Sequence, residues 1–372
     1  MRYIWQEKSW PRLTWDSKRL IEPLGKARRA QGELIARVSA LGLASRLEAQ
    51  ADLVSEEALK TAAIEGEKLN PLSVRSSVAR RLGLPTAGLP PTQRAVDGLV
   101  EVLLDATANY DKPLTCKRIK GWQAALFPTG YSGFHRIAVG RWRKHDPMQV
   151  LSGPIGREKI HFEAPPSNRV EKEMGKFLVW WNKSIKESPV EGLIRGGMAH
   201  FYFVAIHPFE DGNGRIARAL TDMALAQDEK MSDRFYSLSS QIMTERDAYY
   251  AVLEKTSKGN GDITEWLLWF VSCVERAIGR SEKLLERILG KVKFWQDHAA
   301  TSINAHQRKV INRLLDAGEG GFEGGLTTRK YVSLAKVSRA TAYREMDDLV
   351  AKKILVSNSS GGRSTSYRLV WK

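Results

Sequence analysis

The stretch Ile206–Leu220 reads Ile-His-Pro-Phe-Glu-Asp-Gly-Asn-Gly-Arg-Ile-Ala-Arg-Ala-Leu. It holds a base, a hard oxygen ligand, a glycine-rich turn and two guanidinium groups. The imidazole of His207 titrates near neutrality and can take a proton. Asp211 offers an oxygen ligand of the kind Mg²⁺ prefers. Gly212 and Gly214 free the backbone for unusual dihedrals and let N–H groups face a ligand. Arg215 and Arg218 are three residues apart, so on a helix both reach the same phosphates. Taken singly, a His before Pro is a helix end, Gly-Asn-Gly is a turn and an Arg pair is solvated. Their coincidence in one short stretch points to a phosphate-binding loop with a metal ligand and a general base.

Two helices must position these groups. An apolar helix over Met198–Ile206 ends at His207, because Pro208 disfavours helical geometry in the residue before it. A second helix begins near Arg215, and its N-terminus supplies free N–H groups and a dipole favourable to anions. Around this pair the apolar periodicity predicts a mainly α body. Its helices are expected over Val54–Leu69, Pro91–Tyr110, Ser167–Lys186, Val190–Ile206, Gly214–Asp228, Glu245–Ser257 and Ile263–Gln296, punctuated by Pro and Gly. Met148–Ser152 and Lys159–Glu163 read as two short strands joined by Gly153-Pro-Ile-Gly156, a β-hairpin flap inserted in a helical domain.

Three parts are expected. Residues 1–50 form an N-terminal helical extension with Trp5, Trp10 and Trp15 and a helical pattern over Leu20–Leu43. Residues 51–300 form the main body. Residues 301–372 read as helices near Ile303–Ala317, Thr328–Ala335 and Ser338–Lys352, with Ser338 as an N-cap. Strands at Ile354–Val356 and Thr365–Val370 follow, around Ser359-Ser-Gly-Gly362. That order is a winged helix-turn-helix pattern.

The bulk composition agrees. The chain has 372 residues, 42% apolar and 27% charged, with a formal charge of +16. These shares are those of a water-soluble globular protein, and the charge favours polyanionic partners. No run is long and apolar enough for a membrane span, and the N-terminus lacks a signal core, so a cytoplasmic location is expected. The two cysteines, Cys116 and Cys273, form no metal-ligand spacing or disulfide framework. Residues 302–372 carry 13 Lys and Arg against 6 Asp and Glu, an excess of 7 positive charges. Arg339, Thr341, Tyr343 and Arg344 suit contacts to phosphates or bases, and Gly362-Arg363-Ser-Thr365 resembles a wing tip, so DNA is a candidate partner. Winged helices also serve as dimer or protein-binding modules.

The segment from His207 to Arg218 resembles the Fic family motif, His-x-Phe-x-[Asp/Glu]-Gly-Asn-Gly-Arg-x-x-Arg, matching every fixed position. The resemblance extends to the apolar helix before the motif, and to Tyr249-Tyr250 and Gly261-Asp-Ile-Thr264 after it. It implies a Fic helical bundle core with the hairpin as a flap that holds a target chain by strand addition. It implies AMP transfer from ATP to a Ser, Thr or Tyr hydroxyl, with His207 as the base and Asp211 holding Mg²⁺. Gly212, Asn213, Gly214, Arg215 and Arg218 are implied to bind the phosphates, and Tyr249 and Tyr250 the adenosine. Phe209 is implied to anchor the loop. Some relatives carry Asn where this chain has Ser257. Residues 61–66, Thr-Ala-Ala-Ile-Glu-Gly, resemble the family's inhibitory motif, placing Glu65 on Arg218 in an inhibitory helix around 54–69. Removal of AMP, transfer of another group, a nucleotide-sensing DNA-binding regulator and a homodimer are further readings the resemblance allows.

Overall fold

A computed structural model describes residues 2–39, 42–86, 89–152, 157, 159–186, 190–317, 322–358 and 365–370. The chain folds as two compact units, Met1–Ser281 and Glu282–Lys372.

The first unit is mainly helical. It opens with a 3₁₀ turn, Ile4–Gln6, then α1 (Ser17–Ser39), α2 (Leu43–Ile64), α3 (Pro71–Arg81), α4 (Arg94–Ala108) and α5 (Cys116–Leu126). Two antiparallel hairpins follow, β1 (Tyr131–Ser132) with β2 (His135–Arg136), and β3 (Gln149–Ser152) with β4 (Lys159–Glu163). Then come α6 (Ser167–Lys186), α7 (Gly192–Ile206), α8 (Asn213–Glu229), α9 (Leu238–Thr244), α10 (Arg246–Ser257) and α11 (Thr264–Asp297), whose residues after Ser281 belong to the second unit. The β3–β4 register shifts between Val150 and Leu151, and residues 153–156, expected as its turn, lie outside the described residues.

The α7–α8 pair forms the centre. Both helices are buried along nearly their whole length. A helix apolar on all sides is stable only when covered on all sides. Here α2 and α4 pack on α8, α6 packs on α7, and α5 packs on α4. Phe177, Phe201, Phe203, Phe209, Trp266 and Phe270 are among the largest fully buried side chains.

The helix expected around 54–69 differs at both ends. It begins at Leu43, so the boundary expected at residue 50 falls inside α2. It stops at Ile64, because Gly66 takes φ +84, a left-handed conformation that ends a helix. Helices α3, α5 and α9 also lie outside the elements read from periodicity. All three start on clear caps, Asn70 accepting from the Leu72 and Ser73 N–H groups, Thr115 from that of Arg118 and Ser237 from that of Ser240.

The second unit holds α12 (Ala305–Ala317), α13 (Thr328–Ala335), α14 (Arg339–Ala351) and the antiparallel strands β5 (Leu355–Ser357) and β6 (Tyr367–Leu369). Val310, Leu314, Tyr331, Met346, Leu349 and Ile354 build its core. The Ser338 hydroxyl accepts from the Thr341 N–H and caps α14. Residues 359–364, which include most of the expected wing tip, lie outside the described residues. Among the described residues no helix is long and apolar enough to cross a membrane.

Candidate active site

His207 closes α7 in the left-handed region, at φ 51 and ψ 61, with its N–H on the Phe203 carbonyl at 3.0 Å. Such a conformation is rare for a residue with a side chain and persists only where the surroundings hold it. Two residues do so. Arg143, 2% exposed, donates Nε to the His207 carbonyl at 2.8 Å, and its own N–H reaches the Pro208 carbonyl at 2.9 Å. It also donates to the Pro165 carbonyl and to Asp146. Asn213 then braces the loop from inside: the Phe209 N–H donates to its Oδ1 at 3.0 Å, and its Nδ2 donates to the Phe209 carbonyl at 2.8 Å. Phe209 itself is fully buried against Trp142.

The imidazole lines a cavity of about 660 Å³. Its Nδ1 lies 3.3 Å from the Val204 carbonyl, so Nδ1–H donates there and Nε2 keeps the lone pair. Burial pushes the His207 pKa down to about 4, with help from Arg143 and against the pull of the Val204 carbonyl, Glu65 and Asp211. The ring is therefore neutral at physiological pH, as a proton acceptor must be.

Gly212, at φ +89, is the N-cap of α8, and a Cβ there would come within 3.0 Å of the Phe127 ring. The α8 N-terminus thus opens at Asn213 and Gly214. Two arginines stand on its first turns. Arg218, 1% exposed on its side chain, donates Nε to the Thr61 hydroxyl at 2.6 Å and Nη2 to the Thr61 carbonyl at 3.0 Å. Its Nη2 also meets Glu65 Oε1 at 2.7 Å. Arg215 pairs with Glu67 at 2.9 Å and stands 3.7 Å from Asp211. Buried donors remain unused on both: Arg218 Nη1 and Arg215 Nε have no partner. Buried polar atoms are nearly always paired, so both donors are open to an acceptor from a ligand.

The Glu65 carboxylate lies directly on the α8 N-terminus. A Cβ built on Gly214 would fall 2.2 Å from Glu65 Oε1. Burial works to raise the Glu65 pKa, but the charge and hydrogen bond of Arg218, with Arg215 and His207, hold it below the usual carboxylate value. Glu65 is therefore an anion seated where the helix terminus and two guanidinium groups favour one.

The remaining expected residues divide. Tyr249 and Tyr250 line the same cavity as His207, as does Ser257. Tyr249 is buried, with its hydroxyl 2.8 Å from His200 Nε2. The Tyr250 hydroxyl reaches the Ile64 carbonyl at 3.5 Å, and Arg246 lies over its ring. Val150 and Phe162 of the β3–β4 hairpin close the cavity's other side. Asp211 stands outside that cavity, bonded by the Ser132 hydroxyl. Among the described residues no group of three or more His, Cys, Asp and Glu gathers as a metal site. A Mg²⁺ ion here would rest on the single Asp211 carboxylate and on phosphates, an arrangement Mg²⁺ accepts because it keeps waters and borrows substrate oxygens.

Arg143, Glu67 and Ser132 lie outside the set read from sequence. Nothing in the local pattern around Arg143 shows its role, because the carbonyls it holds, those of Pro165 and His207, lie far along the chain. Replacing Arg143 with Met is expected to cost about 3 kcal/mol of stability, since it strips donors from buried carbonyls. Urea unfolding measures this. A loss under about 0.5 kcal/mol would mean water replaces the guanidinium.

A pH dependence follows from His200, buried between Thr221 and Tyr249. Burial, and secondarily the Arg218 charge, push its pKa down to about 3. The unfolded chain binds a proton at an ordinary histidine pKa of about 6.5, so stability is full above that value and falls as pH drops toward 3. The expected slope is about 1.4 kcal/mol per pH unit from this group. Unfolding curves at pH 7, 6 and 5 on wild type and His200→Gln measure it, and equal slopes in the two would remove His200 as the source.

Comparisons with known proteins agree with this geometry. A model of the Fic/DOC family matches residues 113–225, and a model of a domain of unknown function, DUF4172, matches residues 3–84. The chain is 25% identical over 244 residues to a protein adenylyltransferase of Caenorhabditis elegans, covering 65% of this chain and 42% of that protein. It is 32% identical over 147 residues to one from Nematostella vectensis, covering 39% and 29%. The chain thus spans less than half the length of these relatives. A solved structure of a Fic family protein from Desulfovibrio desulfuricans G20 shares the fold, with a TM-score of 0.53 at 19% identity over 94% of this chain and 96% of that one.

Proposed function

The chain carries a Fic domain over residues 113–225, and we propose that it is an autoinhibited protein adenylyltransferase. It moves AMP from ATP to Ser, Thr or Tyr hydroxyls of target proteins and of itself. The observation that carries this reading is Glu65. An anion of the protein's own occupies a helix N-terminus flanked by Arg215 and Arg218, next to a neutral His207. That is the place and chemistry of a triphosphate held for transfer.

The roles follow. His207 Nε2 takes the proton of the target hydroxyl. The oxygen forms a bond to the α-phosphorus, the bond from that phosphorus to the bridging oxygen breaks, and pyrophosphate leaves. The Gly212–Gly214 backbone and the free donors of Arg215 and Arg218 receive the phosphates and offset charge on the leaving group. Asp211 would hold Mg²⁺, which supplies further charge neutralisation for the phosphates. Tyr249 and Tyr250 receive the adenosine, and the exposed edge of the β3–β4 hairpin receives the target chain as an added strand.

Incubating Glu65→Gly protein with ATP labelled at the α- or γ-phosphate, in cell lysate, tests this. Protein label from the α position alone supports AMP transfer. Label from the γ position, or none from either, would refute it. The same experiment run on AMP-modified protein separates removal, in which Glu65 would orient a water, from addition.

A second role rests on the other unit. Arg339, Tyr343 and Arg344 stand exposed on the first turns of α14, with Arg339 Nη2 3.3 Å from the Tyr343 hydroxyl. Read as the recognition helix of a winged helix, this face fits DNA backbone, and binding would weaken steeply with salt. No gel shift at low salt would count against it.

A further inference from the structure

We propose that the N-terminal segment forms, with α6 and α7, a second ligand site that takes a small aromatic anion, an aryl phosphate or carboxylate. A cavity of about 510 Å³ lies here, and it shares no lining residue with the cavity at His207. Its size suits a small ligand. Lys8 and Arg12 come from the segment before α1, Lys176 and Trp180 from α6, and Tyr202 from α7.

Two features give the ligand its chemistry. The first is charge. Lys8, Arg12 and Lys176 line the cavity and no acid does. The carboxylate of Glu173 is buried, where it accepts the Trp10 indole N–H at 2.9 Å and pairs with Lys176 at 3.2 Å. Lys176 is thus partly neutralised. Among the described residues neither Lys8 nor Arg12 has a carboxylate partner, and both are exposed. An excess of positive charge therefore faces the opening.

The second is an aromatic wall with an unused hydroxyl. Trp10 meets Tyr202 edge-on at 5.1 Å, and Trp180 lies 5.8 Å from Tyr202. Tyr202 is 2% exposed, and its hydroxyl is a buried polar atom with no hydrogen-bond partner. Such a group is destabilising unless something else completes its hydrogen bond. Trp10 and Tyr202 are themselves buried, so the ring left partly open to a planar ligand is that of half-buried Trp180. Cations beside them favour an attached anion. A planar ring with one negative substituent meets both demands, whereas inorganic phosphate meets only one.

The site also has a stake in the fold around the transfer centre. The segment that lines it reaches the flap, with the Trp5 indole N–H on the Glu163 carbonyl at 2.7 Å and Tyr3 edge-on to Phe162. Tyr202 sits five residues before His207 on the same helix.

Calorimetric titration of the full chain with phenyl phosphate, and separately with inorganic phosphate, tests the proposal. Saturable phenyl phosphate binding is expected, at least about tenfold tighter than inorganic phosphate. The double variant Lys8→Glu/Arg12→Glu changes two exposed, unpaired side chains and leaves the fold intact. It is expected to weaken binding by about tenfold or more. Tyr202→Phe is expected to weaken it several-fold. If the hydroxyl were simply buried, Tyr202→Phe would raise the melting temperature and leave binding unchanged, which would take Tyr202 out of the site. Absence of saturable binding, equal binding of the two probes, or unchanged binding in the charge-reversed variant would each overturn the proposal.

Discussion

Replacing Glu65 with glycine is expected to raise AMP transfer by about a hundredfold. The wild-type carboxylate pairs with Arg218 at 2.7 Å and covers Gly214 at the start of α8. ATP phosphates entering there would compete with it for the same guanidinium and N–H donors. A triphosphate that enters without displacing Glu65 sits out of line, and misplacement by about an ångström is enough for a loss of this size. Glycine removes the anion and frees one N–H of Arg218 Nη2, whose other N–H stays on the Thr61 carbonyl, adding a donor to the Nη1 already without a partner. Glu65 lies one residue past the end of α2, so the change spares the helix interior. Arg218 stays anchored by the Thr61 hydroxyl and carbonyl. Glu67→Gln is the comparison. Its carboxylate is the more open of the two, with the side chain 44% exposed against 29% for Glu65, so solvent screens its pull on Arg215 more. Its effect is expected to stay within a few-fold. Initial rates of label incorporation from ATP labelled at the α-phosphate measure both, and equal rates in wild type and Glu65→Gly would remove the brake.

The loop from His207 to Arg218 was legible because its constraints are local. A Pro after the base, glycines at the turn and arginines one helical turn apart each leave a trace in sequence, and the helices on either side start and stop within two residues of the places these signals give. Glu65 was legible only through its motif. What was not legible is what depends on partners distant in the chain. Arg143 reads as one more surface cation, yet it is buried and holds the His207 carbonyl across 64 residues. The bracing of Phe209 by the Asn213 side chain also leaves no trace in the local sequence, and it leaves the Asn213 backbone N–H to face a ligand, as the phosphate-binding reading of this turn has it. The C-terminal end of α2 departs from its periodicity for a local reason. Periodicity continues past Ile64, but Gly66 turns left-handed and swings Glu67 onto Arg215. The short helices α3, α5 and α9 escaped because short runs carry little periodicity, and their caps are clearer than their faces.

Loss of the base is expected to be the more severe change. His207→Asn, made in the Glu65→Gly background so that activity is high to begin with, is expected to lower transfer by about a thousandfold. Asparagine is the informative choice. Position 207 is held at φ 51, which Asn tolerates better than Ala, so the loop keeps its course and Arg143 keeps its carbonyl acceptor. What is removed is the Nε2 lone pair. The carboxamide cannot take the proton released when the target oxygen attacks, so the step must proceed without a base in place. The phosphate donors are untouched: Arg215, Arg218 and the α8 N-terminus remain, and ATP affinity is expected to stay within a few-fold of the parent. The two readouts separate the alternatives. A matching fall in ATP binding would mean that His207 shapes the phosphate site and does not act as the base. Retained transfer with unchanged binding would mean that another group, or water, accepts the proton. Burial also fixes the acid side of the rate profile. With its pKa pushed down to about 4, His207 stays neutral through the range where an ordinary histidine is half protonated, so transfer by the free enzyme is expected to hold level from pH 7.5 to pH 6. A fall centred near pH 6.5 would mean that the open, Glu65-free site exposes the ring to water and returns it to its ordinary value.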